Sequence, residues 1–494
     1  MGFTTQTFLF VFFPVCVAAY YLIHLASTRG PAAKLFSKAK LPDIVLIAMS
    51  LFFYNWAGVG EAWKLAVYIA AVYCMGLVIQ LRRSCAERRT GQKTKRRKNT
   101  DRISACIFAV CITAVTFILV YFKYWDFFKD MFSFGHSGSK ASVVAPIGIS
   151  FITFSAISYL ADIRRGDADC KSLIDCALYL CFFPKVISGP IVLWKDFSPQ
   201  CGAKKLTLDK AFEGAERIMT GFAKKLIIAD TFGACIAKTA AAAIDVPTAW
   251  GVNLLFMFQL YFDFSGYSDI AIGLGKLLGY EMKENFNFPY LSTSIADFWR
   301  RWHISLGTWF KEYIYIPLGG SRKGKARTII SLAVVFLLTG LWHGAGWTFV
   351  LWGLINGLFR ILEKLAENSG LYKAIPPVVK WLVTTVIVYF CWIIFRFTDF
   401  KELSDWFGLM FGEAPDSVPY TFGHYFDRQI ISLIVIAFFC STVPGTVRFT
   451  KACEAKKTSA AAVLVKELAV IVLFVIAIMF MVNSTYSPFL YFQY

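Results

Sequence analysis

Two histidines in apolar, tryptophan-rich surroundings are the residues of this chain best suited to chemistry. His303 closes the run Asp297-Phe298-Trp299-Arg300-Arg301-Trp302-His303, and His343 sits in Gly340-Leu341-Trp342-His343-Gly344. A neutral imidazole can take a proton from a hydroxyl or attack an acyl carbon itself. Only five histidines occur in 494 residues, and a group that titrates near neutrality is costly to hold in an apolar setting. More polar candidates lie upstream: Gln259, Asp263, Ser265, Ser268 and Asp269 fall within or against an apolar span. At helical spacing Asp263 lies one turn from Gln259 and one from Tyr267, a stripe that either lines a cavity or ties helices together. Asn285 belongs to a polar segment, Glu284 to Leu291, interrupted by Pro289.

The elements that hold these residues are those of a membrane protein. Hydrophobic residues make up 57% of the chain and Phe alone contributes 49 positions, which predicts an all-α polytopic membrane protein. Candidate spans fall near 7–25, 42–58, 62–80, 103–122, 143–160, 173–193, 217–240, 250–275, 328–343, 345–363, 377–396, 430–444 and 463–482. Several are shorter than the roughly 20 residues a crossing needs, so about 10–13 membrane-embedded helices are expected, some re-entrant or interfacial. The first span lacks a basic flank and a small-residue cleavage site, and reads as a retained helix. Residues 399–428, the least apolar stretch, read as an extramembrane loop. One membrane domain over 1–494 is the economical expectation, with its catalytic core over 180–360.

Charge gives the orientation. The formal net charge is +19, and residues 81–102 carry ten Lys and Arg against Glu87 and Asp101. By the positive-inside rule that loop is cytoplasmic. Residues 27–41 are also basic while residues 1–23 carry no charged side chain, which puts the N-terminus outside. Spans pressed against both sides of the basic loop argue for lipid headgroups and against nucleic acid. The thirteen cysteines show no metal-type spacing. Cys176 and Cys181 read as packing residues, and no metal or bound cofactor is expected.

From Ile295 to about Tyr313 a single amphipathic helix is expected. Ser294 and Asp297 would cap it, Phe298, Trp302, Leu306, Trp309 and Tyr313 would form one face, and Trp299 and His303 an adjacent stripe. Arg300 and Arg301 would meet lipid phosphates or an anionic acyl donor. A basic, glycine-rich turn, Pro317 to Lys325, follows. A helix from Arg327 would then carry His343 roughly 24 Å inward, with Gly340 and Gly346 allowing close approach.

The two histidine motifs, forty residues apart, resemble the membrane-bound O-acyltransferase (MBOAT) family. Trp309 to Gly320 looks like its bacterial polysaccharide branch, of the alginate-acetylating kind, and similar stretches occur at Phe183–Ile191, 259–269, 284–294 and Tyr491–Tyr494. The resemblance implies a helical bundle around a central tunnel, with His343 catalytic and His303 supporting it. Gln259, Asp263, Ser265, Asn285, Trp299, Arg300, Trp302 and Trp342 would contact substrate or line the tunnel. It further implies acetyl transfer from a cytoplasmic thioester, acetyl-CoA, across a bacterial inner membrane to exopolysaccharide, completed by a separate SGNH-type or related extracytoplasmic partner within the polysaccharide machinery. His343 would serve as general base or transient nucleophile, while His303, with Asn285 or indole N–H groups, would steady the oxyanion or hold the acceptor. Two other functions fit the same residues: D-alanyl transfer to teichoic acid from a carrier-protein thioester, and non-enzymatic flipping of a lipid-linked glycan.

Overall fold

In a chain this apolar, backbone polar groups shielded from water have to be satisfied internally, and the described residues form helices and turns with no strand. In this computed structural model they are residues 2–29, 40–57, 60, 62–90, 102–132, 145–202, 206–240, 243–413, 417–443 and 460–483. Among them six helices are long and apolar enough to cross a membrane: Phe8–Arg29, Ala62–Arg88, Arg102–Lys129, Lys325–His343, Pro377–Arg396 and Ala460–Asn483. Leu41–Ala57 and Arg428–Thr442 are shorter apolar helices. The protein is thus an all-α polytopic membrane protein. The middle of the basic 81–102 stretch, Pro415 and the terminal Tyr491–Tyr494 lie outside the described residues.

The chain divides into two compact units, residues 1–215 with 271–283, and 216–270 with 284–494. In the first, Lys40 Nζ meets Asp175 Oδ2 at 2.6 Å, joining the start of Leu41–Ala57 to the capped start of Leu173–Cys181. The span expected over 173–193 is not one helix. It stops at Cys181, resumes for a single turn at Phe183–Val186, and then runs without helix to Leu193. Pro184 fits the first turn of a helix but cannot continue one, and Pro190 supplies no donor.

The second unit holds both histidines. Lys325–His343 and Trp347–Ala366 form a hairpin that closes where Gly340 meets Gly353. A Cβ on Gly353 would stand 2.5 Å from the Phe336 carbonyl oxygen, and one on Gly340 would collide with that of Phe349. Gly344 is equally confined, against the Phe349 ring, whereas a Cβ on Gly346 would meet nothing nearer than 3.5 Å. The close approach expected at Gly340 and Gly346 therefore falls at Gly340 and Gly344. The 399–428 stretch, expected as loop, contains the helix Phe400–Met410, because Asp399 Oδ1 accepts from the Lys401 and Glu402 amides at 2.7 and 3.2 Å. Before Lys325, the basic turn uses Gly319, Gly320 and Gly324 at φ of 115°, 52° and 89°, conformations open chiefly to glycine.

Overpacking this hairpin is expected to cost about 1–3 kcal/mol. Gly340→Val should lower the melting temperature of the purified protein in detergent, while Gly346→Ala should leave it nearly unchanged. Equal melting temperatures for the two variants would show that the glycine contact does not set the hairpin.

Candidate functional site

The long helix Val246–Leu277 supplies one wall of the site. Its Gly266 lies against Gly221 of the Leu208–Ala223 helix, where a Cβ on Gly221 would be 2.6 Å from the Gly266 carbonyl oxygen. That closeness brings cations to its carboxylates. Lys225 Nζ lies 2.7 Å from Asp263 Oδ1 and 2.6 Å from Asp230 Oδ1. Asp269 accepts from Arg217 Nε at 2.7 Å and from Lys224 Nζ at 2.6 Å. Both lysines open a π-helical stretch, Lys224–Ala229, whose wider turn re-aims side chains. Asp263 thus ties helices through a buried ion pair.

Arg217 also donates to Glu284 Oε1 at 2.8 Å, which fixes the residue preceding Asn285. Asn285 is 1% exposed, and its side chain uses both of its ends. Its Nδ2 donates to Ser268 Oγ at 3.0 Å, and its Oδ1 accepts from Ser305 Oγ at 2.8 Å and the Ser305 amide at 3.3 Å. The same oxygen lies 3.0 Å from His303 Nδ1.

The helix expected from Ile295 to Tyr313 is consequently broken. Ser294 caps its first part as expected, accepting from the Asp297 amide at 3.0 Å, and Ala296 donates to Glu363 Oε2 at 2.9 Å. The helix ends at Arg301, Trp302 is extended at φ −98°, and His303 is left-handed at φ 44° before Ile304–Phe310 begins. A left-handed non-glycine residue costs about 1–2 kcal/mol. The loop at 285–287 compensates: Asn287 N–H donates to the Arg301 carbonyl and Ile304 N–H to the Asn285 carbonyl, each at 2.9 Å. Sequence periodicity continues smoothly through the break, so it predicts none.

His303 and His343 converge on one indole. The Trp342 ring centroid lies 6.2 Å from that of His303 and 4.9 Å from that of His343. Phe264 meets the His303 ring edge-on at 4.7 Å. His343, 8% exposed, ends its helix and is boxed by Trp352 at 5.0 Å and Phe395 at 5.2 Å, both edge-on. Trp299 packs on Trp352 at 5.6 Å, and Trp302 on Trp392 at 4.7 Å. The buried indole nitrogens of Trp299 and Trp352 have no hydrogen-bond partner among the described residues.

Of the residues singled out from sequence, His303, His343, Asn285, Trp299, Trp302 and Trp342 come together in this aromatic cluster. Arg300 does not: its side chain is 73% exposed and reaches Asp297 at 3.5 Å. Gln259 packs over Gly233, and the buried Ser265 Oγ finds no hydrogen-bond partner among the described residues. Trp352, Trp392, Phe395 and Ser305 were missed. The first three lie in apolar spans that read as ordinary core, and Ser305 gives no periodic signal.

The fold is that of a polytopic membrane protein that packs two histidines against one indole. The chain belongs to the membrane-bound O-acyltransferase family, whose pattern matches residues 164–397 and includes both histidines, and it is an O-acyltransferase. It is 35% identical to the probable alginate O-acetylase AlgI of Pseudomonas putida over the full length of both chains. To the probable alginate O-acetylase AlgI of Pseudomonas aeruginosa it is 38% identical, over 80% of this chain and 72% of the relative. The peptidoglycan O-acetyltransferase of Helicobacter pylori is 31% identical, over 80% of this chain and 76% of its own.

Removing one partner of a buried ion pair leaves an uncompensated charge, at a cost of about 3–5 kcal/mol. Lys225→Met should therefore sharply reduce the folded yield in membranes, and the double variant Lys225→Met with Asp263→Leu should recover part of it. Full folded yield of the single variant would show that the cluster does not tie these helices.

Proposed function

We propose that this O-acyltransferase takes acetyl from a cytoplasmic thioester, acetyl-CoA, and delivers it across a bacterial inner membrane for O-acetylation of a secreted polysaccharide. A separate SGNH-type extracytoplasmic protein would complete the transfer within the polysaccharide machinery. The observation that carries the reading is the convergence of two buried histidines on Trp342, in a chain similar over most of its length to enzymes named for acetylating alginate and peptidoglycan. The basic 81–102 stretch supports a cytoplasmic donor side and an N-terminus outside.

In this mechanism His343 is the general base. A hydroxyl is a poor nucleophile at neutral pH, and an imidazole within reach removes its proton as oxygen attacks the thioester carbon, a gain of about 10² to 10⁴. The C–S bond then breaks, the thiol leaves with the proton that the imidazole returns, and an O-acetyl ester forms. Negative charge gathers on the carbonyl oxygen in between. The Trp352 indole N–H, edge-on to His343 and otherwise without a hydrogen-bond partner among the described residues, is suited to receive it. His303 holds the acceptor.

Purified protein supplied with radiolabelled acetyl-CoA should release CoA and transfer acetyl to an extracytoplasmic acceptor, and His343→Ala should lower the rate by about 10² or more. Retained turnover in a well-folded His343→Ala removes that residue from the role. Turnover only with a D-alanyl carrier protein would favour the teichoic-acid reading. Glycan translocation without thioester turnover would favour a flippase.

A further inference from the structure

A histidine described only as buried is chemically ambiguous, since its neutral ring carries the proton on either nitrogen. The surroundings of His303 remove that ambiguity. The Ser305 backbone N–H can only donate, and it points at the same Asn285 atom that faces His303, at 3.3 Å. That atom is therefore the amide oxygen. The opposite end, 3.0 Å from Ser268 Oγ, is the NH₂ group, with a hydroxyl able to accept from it. An amide oxygen cannot donate, so His303 Nδ1, 3.0 Å away, has to carry the proton.

We propose that Asn285 is a positioning residue that fixes His303 as its Nδ1–H tautomer, so that Nε2 holds the lone pair and is the nitrogen offered to a substrate proton. This rests on the reading of His303 as part of the transfer site. It changes the role open to His303: a neutral ring with bare Nε2 accepts a hydrogen bond from an acceptor hydroxyl and has no N–H there to steady an oxyanion. The backbone serves the same end. The left-handed turn at His303 and the bond from Ile304 N–H to the Asn285 carbonyl at 2.9 Å hold ring and amide in register. Rings face His303 from two further elements, Phe264 of Val246–Leu277 and Trp342 of Lys325–His343, and neither titrates. The carboxylates of Val246–Leu277 nearest in sequence, Asp263 and Asp269, are bridged to Lys225 and to Arg217 with Lys224.

The test uses the full-length protein with ¹⁵N-labelled histidine, reconstituted in lipid, the His303 signals being assigned by their loss in His303→Gln. The wild type should show a protonated Nδ1 and a bare Nε2. Asn285→Ala should release the ring to the other tautomer and lower kcat by about tenfold or more, with less effect on KM for acetyl-CoA. Asn285→Asp keeps the accepting oxygen and places a carboxylate beside the imidazole, which favours its charged form. Nε2 of His303 is then protonated at higher pH and can no longer hold the acceptor hydroxyl, so the acid limb of the activity profile should move up by about one unit. A wild-type ring protonated at Nε2, an unchanged tautomer in folded Asn285→Ala, or an unmoved acid limb in active Asn285→Asp overturns the proposal. Because the tautomer is read without turnover, the expected spectra from a protein that never consumes acetyl-CoA would sink the proposed function and leave this assignment standing.

Discussion

The side-chain amide of Asn285 is the point on which the site depends. A buried polar group must find partners or be paid for in stability, and this one finds them in three places: Ser268 on the long helix, Ser305 on the short helix, and His303 at the break between two short helices. Without it, only the backbone bonds of the loop would offset the strain of a histidine in left-handed backbone. With it, the chain interrupts a helix at a buried histidine. The bonds from Asn287 and Ile304 to the carbonyls of Arg301 and Asn285 make loop and break a single unit.

That unit is anchored by charge on one side and by aromatic packing on the other. Arg217 bridges Asp269 and Glu284, so an ion-pair network between packed helices sets the start of the Asn285 loop. Such a network is a poor source of net stability, because the desolvation of each ion offsets most of its attraction. Its contribution is geometric, since few arrangements satisfy two carboxylates and two cations at once. On the other side, Trp342, Trp352 and Phe395 meet His343 edge-on, Trp299 meets Trp352 edge-on, and Trp392 meets Phe395 edge-on while stacking on Trp352. Rings in these orientations attract beyond the area they bury, and their stiffness holds His343 at the end of its helix.

Much of this was legible in the chain itself. Apolar runs of sufficient length determined the long helices, including Pro377–Arg396, because a membrane span is a local property of composition and length. The spacing of Ser294 and Asp297 gave the helix start, and the two Trp-His neighbourhoods marked the residues that the fold gathers. The helix expected over 295–313 and the span expected over 173–193 are broken in the structure for different reasons. The second carried its warning in Pro184, Gly189 and Pro190. The first carried none, since Trp302 and His303 keep helical periodicity while the backbone turns away from it.

The sequence alone thus determined the class of the protein, its long helices and its reactive residue types, all of which follow from hydropathy and side-chain chemistry read over short windows. Only the tertiary structure decided which polar groups pack beside the histidines. Asp263, equally suited in sequence to substrate or to packing, meets Lys225, and Arg300 stays exposed. Asn285, one polar residue among several in its loop, reaches His303 eighteen positions away. The physical reason is that burial makes partners obligatory, and a partner distant in the chain is chosen by how the helices pack.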